Sequence, residues 1–415
     1  MRFVYNLFIF LYQNSIRIAV FFGNDKAKKW LKGRADIFSK LKSVIREEDK
    51  TVWFHCASLG EFEQGRPLIE AIRKSYPDHK ILLTFFSPSG YEVRKDYPLA
   101  DHVFYLPADT KRNARRFVDI VRPRLVFFIK YEFWFNYMNE LYKRKIPYFM
   151  VSVIFRPSQH FFSFWGSWFR RQLRKITYLF VQEEQSLVLL ERFKLYHADI
   201  IGDTRFDRVA ELANAKKEFP NVERFIRETP VVVAGSTWPA DEEKLAGLMQ
   251  QADLDLKLII APHQVGEEHM EQLKKRFKEF GVEVYSNAKQ SSLVHVRVLL
   301  IDTIGFLSYL YRYATFVYIG GGFGAGIHNL LEAATYGKPV IFGPNHEKFK
   351  EAVDLKENGG GFAVSSTDEL ISVSRNLLAD HTKCEESAGT AKEYVLSHTG
   401  ATQKVLEKVK EYLTA

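Results

Sequence analysis

Two series of short apolar runs, each interleaved with segments of helical pattern, limit the fold of this sequence more than any other feature. Near-continuous apolar runs separated by helices predict strands buried on both faces of a parallel sheet. The pattern restarts after a polar stretch at 205–229, so the chain predicts two α/β domains, each with a doubly wound parallel sheet. The predicted strands are 52–58, 80–86, 102–107, 124–130, 148–154 and 178–182 in the first series, and 231–236, 257–262, 282–286, 296–302, 316–321 and 339–344 in the second.

The domain organisation follows from these two series. Residues 1–34 form an apolar segment and a basic link, residues 35–215 the first α/β domain, and residues 216–415 the second. The final helical pattern, about 401–413, belongs to the second domain or packs back on the first, and the pattern leaves both open. Two cysteines in 415 residues exclude a disulfide-stapled scaffold and a cysteine-rich zinc module.

The charge is distributed unevenly along the chain. The whole sequence has 59 Lys and Arg against 50 Asp and Glu, a net charge of +9. Residues 1–205 contain 35 basic and 21 acidic residues, a net of +14, whereas residues 206–415 contain 24 and 29, a net of −5. A basic first half predicts contact with an anionic surface or substrate. Nucleic acid and acidic lipid both fit this charge.

The apolar segment 3–22 is long enough to cross a bilayer, which takes about 20 residues. Arg17 lies inside it, however, and a charged side chain within a membrane span is costly. Basic residues follow the segment and suit anionic headgroups. The pattern favours membrane contact over a helix packed on its own domain, and leaves spanning and lying flat equally open. The basic residues of the link are Lys26, Lys28, Lys29, Lys32 and Arg34.

A second stretch, FFSFWGSWFRRQLRK at 161–175, places six aromatic residues before four basic ones. Aromatic rings suit the membrane interface and arginines suit phosphate headgroups. A buried helix with a charged end is nearly as good an interpretation, and base stacking ranks below both, because no nucleic-acid-binding pattern accompanies it. The candidate membrane or acceptor contacts are Phe161, Phe162, Trp165, Trp168, Arg170 and Arg171.

A glycine-rich stretch follows a strand in the second domain. Gly321 and Gly322 lie where the backbone can approach a ligand closely, and a helix predicted from about Ile327 would present its N-terminus to a phosphate. Asn329 and Glu332 share one face of that helix, so Glu332 is placed to accept ribose hydroxyls. A tight turn is the alternative for the glycines. The sequence argues against a dehydrogenase, whose fingerprint needs an acidic residue after the next strand, where the chain has Gly-Pro-Asn at 343–345.

Other polar residues of the second domain also follow predicted strands. Ser236 and Thr237 either cap the next helix, which is the safer interpretation, or contact a phosphate. His263 contacts a nucleotide or is a surface histidine, and Gly305 allows close approach of the 302–307 loop. The sequence has no Walker, HExxH, CxxC or Asp-x-Asp pattern, so no metal and no cofactor are expected.

Three charged residues of the first domain complete the candidate site. Glu61 precedes a helix predicted from about Glu63, and a carboxylate at a strand end is either a general base or an acid stabilised by the helix dipole. Glu132 follows another strand among aromatic residues. Arg205 lies near the predicted domain boundary, where it is placed to bind a phosphate.

In order and spacing, these motifs resemble the 3-deoxy-D-manno-octulosonic acid (Kdo) transferases of lipopolysaccharide assembly over nearly the whole chain. The resemblance implies a GT-B fold, in which two Rossmann-like domains face each other across a cleft, with an apolar N-terminal helix. It implies an inverting, metal-independent glycosyltransferase with CMP-Kdo as donor, bound by the second domain. The motifs are LKGR (31–34), FHCASLGEFEQGRPLI (54–69), YEFWFN (131–136), GDTRFD (202–207), AGSTWPADEE (234–243), APH (261–263), DTIGFL (302–307) and GGGFGAGIHNLLEAATYGKPVIFGPN (320–345).

The resemblance also implies partners and a location. The acceptor is the lipid A precursor, a phosphorylated and acylated glucosamine disaccharide, bound by the first domain. The enzyme acts on the cytoplasmic face of the bacterial inner membrane, with which its N-terminus associates, and no nucleic-acid partner is expected.

The resemblance assigns roles to individual residues. The general base corresponds to Glu61, and stabilisation of the transition state to Glu132 and Arg205. The nucleotide-contacting segments correspond to Pro262, His263, Ile304, Gly305, Phe306, Asn329, Leu330, Leu331 and Glu332. The sequence departs from the family pattern at three of these positions: Arg205 replaces Lys, His263 replaces Arg and Phe306 replaces Glu. These departures change the geometry of one positive charge, make another titratable, and remove a carboxylate.

Three alternatives remain at this point. One is another GT-B glycosyltransferase that uses a UDP-sugar, similar to lipid A disaccharide synthase. A second is a non-catalytic protein that binds lipid or nucleotide, against which the presence of both Glu61 and Glu132 argues. A third is an RNA-binding protein, which the basic half alone would allow.

Overall fold

The computed structural model describes residues 1–214, 217–289 and 291–414. The chain forms two compact units: Met1–Arg208 together with Thr399–Ala415, and Val209–His398. They are called unit 1 and unit 2 below. The predicted boundary between residues 215 and 216 falls outside the described residues.

Unit 1 is built on a parallel sheet of seven strands in the order β3-β2-β1-β4-β5-β6-β7. Its central strands are buried along their whole length, as their apolar sequences predict. The strands are β1 Thr51–Cys56, β2 Lys80–Phe85, β3 His102–Tyr105, β4 Leu125–Ile129, β5 Tyr148–Val153, β6 Tyr178–Val181 and β7 Ala198–Ile200.

Helices connect these strands and cover both faces of the sheet, giving one apolar core on each face. The boundary between the units falls within α10. The helices are α1 Arg2–Phe21, α2 Asp25–Gly33, α3 Ile37–Val44, α4 Leu59–Ser75, α5 Pro88–Arg94, α6 Lys111–Val121, α7 Phe135–Lys143, α8 Ser167–Leu173, α9 Glu184–Arg192 and α10 Thr204–Asn214.

Unit 2 repeats this architecture with a second parallel sheet of seven strands, in the order β10-β11-β9-β8-β12-β13-β14. The prediction of two α/β domains with parallel sheets is therefore confirmed. The strands are β8 Val231–Thr237, β9 Lys257–Pro262, β10 Val282–Val284, β11 Val298–Leu300, β12 Phe316–Ile319, β13 Val340–Phe342 and β14 Gly361–Ala363. The helices are α11 Pro220–Ile226, α12 Pro239–Met249, α13 Glu267–Arg276, α14 Leu307–Leu310, α15 Leu331–Ala334, α16 Lys350–Glu357, α17 Thr367–Ala379, α18 His381–Ser397 and, returning to unit 1, α19 Ala401–Thr414.

The final helix belongs to unit 1. Val405, Val409 and Leu413 of α19 are buried in the core on one face of the unit 1 sheet. The start of the helix is held by Asp207, whose carboxylate accepts hydrogen bonds from two backbone N–H groups at 400 and 402 (2.6 Å each). Of the two positions that the sequence left open for this helix, the structure has the one on the first domain.

The N-terminal segment is the single helix α1, and a few residues attach it to unit 1. The Tyr5 hydroxyl donates to Asp109 (2.5 Å), Asn6 accepts from Asn136 (2.9 Å), and Ile9 is buried. Much of the remaining apolar surface of α1 is exposed. Among the described residues, we find no helix with both the length and the hydropathy of a membrane span. The exposed large apolar side chains at the N-terminus are Met1, Phe3, Val4, Leu7, Phe8, Phe10, Leu11, Ile18, Phe21 and Phe22.

The basic link corresponds to α2 and the residue that follows it, and one of its predicted surface charges, Arg34, is half-buried. The Arg34 guanidinium donates to the carbonyl oxygens of Leu106, Trp30 and Phe86. Burial lowers the pKa of Arg34 to about 9. Arg34 thus ties α2 to the end of β3 and is not available to a headgroup, in contrast to the prediction.

Candidate active site

In both sheets the order in which successive strands are added reverses beside the first strand. This switch point lies between β1 and β4 in unit 1 and between β8 and β12 in unit 2. Open α/β sheets bind ligands beyond the carboxyl ends of the strands at such a reversal. Glu61 and Glu132 follow β1 and β4, and the glycine-rich stretch follows β12. The residues singled out in the sequence therefore lie where each sheet is expected to bind a ligand.

Glu61 lies in the first turn of α4, which begins at Leu59 rather than near Glu63. Its Oε2 accepts the backbone N–H of Ser58 (3.1 Å) and also bonds the Ser58 hydroxyl. This is a capping box, in which the N-cap residue and the third helical residue satisfy each other. Glu61 thus acts as the acid that caps the N-terminus of α4. Its other oxygen, Oε1, has no bond to any described residue, and the side chain is half-buried.

Glu132 follows β4 and is held from two sides. The Trp134 indole Nε1 lies 2.6 Å from Glu132 Oε2, and Nε2 of His55 lies 3.2 Å from the same oxygen. The Glu132 side chain is 11% exposed, while the His55 ring, at the end of β1, is completely buried. Two neighbouring strand ends thus bring together a histidine and a carboxylate that are 77 residues apart in the chain.

Arg205 is bound to a neighbouring carboxylate. Its Nε and Nη2 both lie 2.8 Å from Asp203 Oδ2. Asp203 also accepts from Gln64 of α4 (3.3 Å), and the Thr204 hydroxyl donates to the Gln64 carbonyl (2.5 Å). These bonds attach the start of α10 to α4, the helix that carries Glu61.

Three non-glycine residues at the carboxyl ends of strands have left-handed backbones. Lys130 after β4, Ser152 in β5 and Ser236 in β8 have φ values of 68°, 58° and 54°. This conformation is unfavourable for a side-chain-bearing residue and is concentrated at functional sites in proteins. Lys130 and Ser236 lie at strand ends where predicted site residues are found, and Ser152 lies at the end of the strand next to β4.

In unit 2, the predicted capping roles of Ser236 and Thr237 are wrong. The N-cap of α12 is Trp238, with Asp241 as its partner, and the Thr237 hydroxyl donates to Glu242 (3.1 Å). Burial raises the pKa of Glu242, which the neighbouring His269 partly offsets. Ser236 lies at an irregularity of the β8–β9 pairing.

The glycine-rich stretch is shaped by close backbone packing. A Cβ on Gly320 would lie 2.4 Å from the Ser236 carbonyl oxygen, and one on Gly322 would lie 2.6 Å from the backbone of Gly343. Gly321 has φ +91°, and its N–H donates to the buried Asp241 (2.9 Å). The glycines are therefore needed for more than a turn, because the ends of β8, β12 and β13 meet here.

The helix predicted from Ile327 is wrong in extent, because α15 has four residues and begins at Leu331. Asn329 lies before it, and its amide donates to Glu332 Oε1 (3.1 Å). The side chains of Leu330 and Leu331 are completely buried. Neither residue has exposed surface for a donor, in contrast to the contacts that the resemblance implies.

His263 belongs to a stack of three rings. It lies between Trp238 and His328, with ring centroids 4.7 Å and 4.5 Å away. Trp238 Nε1 donates to His328 Nε2 (3.1 Å), and burial lowers the pKa of His328. Pro262, which precedes His263 at the end of β9, is buried.

The 302–307 loop presents Ile304, which is 84% exposed, followed by Gly305 with φ +89°. Phe306 packs against the rings of Phe219 and Tyr285 and under the Lys217 ammonium. The half-buried aromatic ring at this position is thus part of a cluster with these residues.

The aromatic and arginine-rich stretch 161–175 is mainly core, which corrects its interpretation as a membrane contact. Phe161 is buried, and Phe162 and Trp168 pack against the same core. Arg170 donates to the carbonyl oxygens of Phe161 and Ser163 (2.7 and 3.0 Å). Trp165 and Arg171 are the exposed members of the six predicted contacts. The alternative of a buried helix with a charged end therefore describes most of this stretch.

Residues that the sequence analysis missed include His55, Trp134 and Asp241. His55 follows three apolar strand residues, Val52, Trp53 and Phe54, so a histidine near a strand end was the available signal. In the part of the chain that the structure describes, no group of three or more His, Cys, Asp or Glu side chains is arranged to hold a metal ion.

Residues 31–208 match a family model described as 3-Deoxy-D-manno-octulosonic-acid transferase (kdotransferase). The 3-deoxy-D-manno-octulosonic acid transferase of Rickettsia felis is 26% identical over 423 residues, covering 95% of this chain and 89% of that protein. The protein of the same name from Aquifex aeolicus is 28% identical over 382 residues, covering 90% of this chain and 96% of that protein.

Among solved structures, UDP-GlcNAc 2-epimerase from Neisseria meningitidis, bound to UDP-GlcNAc, is similar with a TM-score of 0.61. It is 17% identical and covers 87% of this chain and 100% of that chain, so the similarity concerns the fold alone. The sequence relatives and the family model agree: residues 31–208 match the 3-deoxy-D-manno-octulosonic acid transferase model, and proteins of that name are 26% and 28% identical over 95% and 90% of the chain.

Proposed function

We propose that this protein is an inverting glycosyltransferase that moves Kdo from CMP-Kdo to a hydroxyl of a lipid A precursor. The acceptor is a phosphorylated and acylated glucosamine disaccharide. The observation that carries the proposal is the placement of Glu61 and Glu132 at the ends of β1 and β4, where the strand order of the unit 1 sheet reverses, in a chain similar to the Kdo transferases.

Glu61 is the proposed general base. Ser58 holds Oε2 through two hydrogen bonds, and a held carboxylate is oriented before the acceptor arrives. Oε1 then removes the proton from the acceptor hydroxyl as the hydroxyl oxygen attacks the anomeric carbon of Kdo. Attack on the face opposite to the leaving CMP inverts the anomeric configuration.

Negative charge develops on the CMP phosphate as its bond to Kdo breaks, and this charge must be neutralised. Arg205 is the proposed cation of unit 1, and Asp203 positions its guanidinium through two contacts of 2.8 Å. In unit 2, the backbone of the glycine-rich stretch around Gly321 and Gly322 and the His263 ring are the proposed phosphate contacts. We propose that these groups neutralise the charge and that the reaction proceeds without metal or cofactor.

The donor nucleotide is proposed to bind unit 2 through its ribose. Glu332, which Asn329 contacts at 3.1 Å, would accept the two ribose hydroxyls. Pro262, Ile304, Gly305 and Phe306 would line the same site. Since the proposed base and the proposed donor site lie in different units, the proposal includes the GT-B arrangement that the sequence resemblance implies.

The acceptor explains the surface of unit 1. Acyl chains require a membrane or an apolar surface, and α1 presents exposed Phe3, Phe8 and Phe10, with exposed fractions of 78%, 62% and 60%. The net charge of +14 in the first half suits the phosphates of the acceptor and of the membrane. We therefore propose that the protein acts at the cytoplasmic face of the bacterial inner membrane, with α1 against the lipid.

Release of CMP tests this proposal against its alternatives. CMP-Kdo, generated in situ, should release CMP only when the lipid A precursor is present. CMP should also raise the thermal unfolding midpoint more than UDP does. Stabilisation by UDP but not CMP would favour a UDP-sugar transferase, and the absence of turnover with every donor would favour a non-catalytic binding protein.

A further inference from the structure

The buried ring of His55 has hydrogen-bond partners that determine where its proton lies. Thr84 Oγ1 is 2.7 Å from Trp53 Nε1, 3.2 Å from the Phe54 carbonyl oxygen and 2.9 Å from His55 Nδ1. An indole N–H only donates and a carbonyl only accepts. The Thr84 hydroxyl therefore donates its proton to the Phe54 carbonyl oxygen, and the hydroxyl oxygen accepts from Trp53 Nε1. Its remaining contact requires that His55 Nδ1 carries a proton and donates to Thr84.

The other ring nitrogen of His55 faces a carboxylate. Nε2 lies 3.2 Å from Glu132 Oε2, and Trp134 Nε1 lies 2.9 Å from Nε2 and 2.6 Å from Oε2. With its proton on Nδ1, a neutral His55 presents a lone pair at Nε2, and an ionised Glu132 presents another at Oε2. One indole N–H is shared by the two acceptors. One more proton between Nε2 and Oε2 would replace the repulsion of the two lone pairs by a hydrogen bond.

We propose that His55 and Glu132 hold one shared proton between Nε2 and Oε2, and that His55 is a positioning residue that thereby sets the charge and orientation of Glu132. With Oε2 held by His55 and Trp134, Oε1 of Glu132 is left without a bond to any described residue. The consequence for catalysis rests on the proposed function. The sharing of the proton in the resting protein is independent of the proposed function.

The contacts of the His55 ring single out Glu132 as its ionisable partner. Four residues touch the His55 ring from β2, β4 and the segment after β4, namely Thr84, Phe128, Glu132 and Trp134, and Glu132 is the one ionisable group of these four. The next residue on β1, Cys56, is completely buried. Its pKa is raised by burial first, and then by the negative charges of Glu61, Glu132 and Glu63. The end of β1 is thus a region of negative charge.

The shared proton suits an acidic sugar. Kdo carries a carboxylate beside its anomeric carbon, and an uncompensated Glu132 carboxylate would repel it. The protonated pair has no net charge in either form, imidazolium with carboxylate or imidazole with carboxylic acid. His55 would thus allow a glutamate to lie close to an anionic donor sugar.

Histidine NMR on the full-length protein tests the proton directly, without any enzyme assay. With ¹⁵N in the histidine rings, and with the His55 signals identified by their loss in His55→Gln, we expect a proton on Nδ1 and a second at Nε2 at neutral pH. In Glu132→Gln, whose amide can itself donate to Nε2, the second proton should be absent. A proton on Nε2 alone, or a His55 spectrum unchanged by Glu132→Gln, would overturn the proposal.

The pH profile of transfer tests the consequence. In His55→Gln, an amide that does not titrate replaces the ring, so we expect kcat to fall at least tenfold and the loss of activity at high pH to move at least one unit lower. CMP affinity, measured on the same protein, should stay unchanged. A lower kcat with an unchanged pH profile would reduce His55 to a structural role.

A second variant covers a failure of His55→Gln to fold. Thr84→Val keeps the shape of the side chain and removes the acceptor of the Nδ1 proton, so the His55 signals should change toward a proton on Nε2. Retention of the Nδ1 proton in a folded Thr84→Val protein would contradict the hydrogen-bond assignment. If the wild-type protein transfers no Kdo, the proposed function fails and the NMR result alone decides the inference.

Discussion

Replacement of Asp109 by Asn should change the pH dependence of stability in a calculable way. Asp109 is fully buried where α1 is attached, and it accepts bonds from the Tyr5 hydroxyl (2.5 Å) and from the backbone N–H groups of Asn136 and Tyr137 (3.0 Å each). Burial outweighs these bonds and raises the pKa of Asp109 to about 6. The unfolded chain has the ordinary value of 3.8.

The sign follows from the proton count. Between these two pKa values the folded protein holds a proton on Asp109 that the unfolded chain has lost, so the free energy of unfolding falls as pH rises through this window. At about 1.4 kcal/mol per pKa unit, the whole contribution is about 3 kcal/mol, of which about 2 kcal/mol is lost between pH 4 and pH 7. Above about pH 7 this contribution no longer changes.

Urea unfolding at pH 4, 5, 6 and 7 measures this difference. Other carboxylates also titrate in this range, so the quantity compared is the difference between Asp109→Asn and wild type at each pH. We expect Asp109→Asn to gain about 2 kcal/mol relative to wild type from pH 4 to pH 7. Asp78→Asn, at an exposed aspartate of the same unit, is the matched control and should show no such trend. A difference that is flat with pH would refute the reasoning.

Three further predictions concern the two units separately. Glu61→Gln should lower kcat by about 10²- to 10⁴-fold, the range for loss of a general base, with unchanged CMP affinity in calorimetry; near-normal turnover would remove Glu61 from that role. Gly320→Ala should destabilise unit 2 by at least about 1 kcal/mol in urea unfolding, because its Cβ would meet backbone at 2.4 Å, whereas Gly324→Ala, with its nearest atom at 3.6 Å, should not; equal effects would contradict the close-packing account. Glu332→Ala should weaken CMP binding about tenfold, for loss of about 1.4 kcal/mol of hydrogen bonding, while Glu243→Ala, at an exposed position of the same unit, should bind as wild type; an unchanged affinity in Glu332→Ala would refute the ribose contact.

The sheets were predictable because burial on both faces leaves a direct mark on the sequence. Strands such as β1 and β4 are continuous apolar runs, and the pattern found them. It missed β7 and β14, which have three residues each and lie at sheet edges. An edge strand buries less of its surface, so its sequence carries a weaker apolar signal.

The positions of the site residues were predictable, but their partners were not. Parallel strands end at one edge of a sheet, so residues that follow β1 and β4 converge whatever their identity. The contact of His55 with Glu132 depends on which strands are neighbours, and this is not encoded locally. One local signal was available and missed: Ser58 and Glu61 have the spacing of a capping box, which places the start of α4 before Glu61.

The stretch 161–175 shows the limit of composition. Aromatic residues next to arginines suit both a membrane interface and a core with a charged edge, and the choice depends on which neighbours cover the rings. Phe161 packs against Phe133 and Phe155, and the Arg170 guanidinium donates hydrogen bonds to backbone carbonyl oxygens. Those neighbours come from other segments of unit 1, so the sequence of the stretch could not show that it is buried.

Mass spectrometry of the acceptor tests the central claim most directly. The full-length protein is incubated with CMP-Kdo, generated in situ, and the lipid A precursor in lipid vesicles, and the mass of the acceptor is followed with time. We predict that the acceptor gains the mass of one or more Kdo residues, and that Glu61→Gln, folded and still binding CMP, does not produce this gain at a comparable rate. An acceptor that keeps its original mass while the wild-type protein is folded and binds CMP would contradict the account.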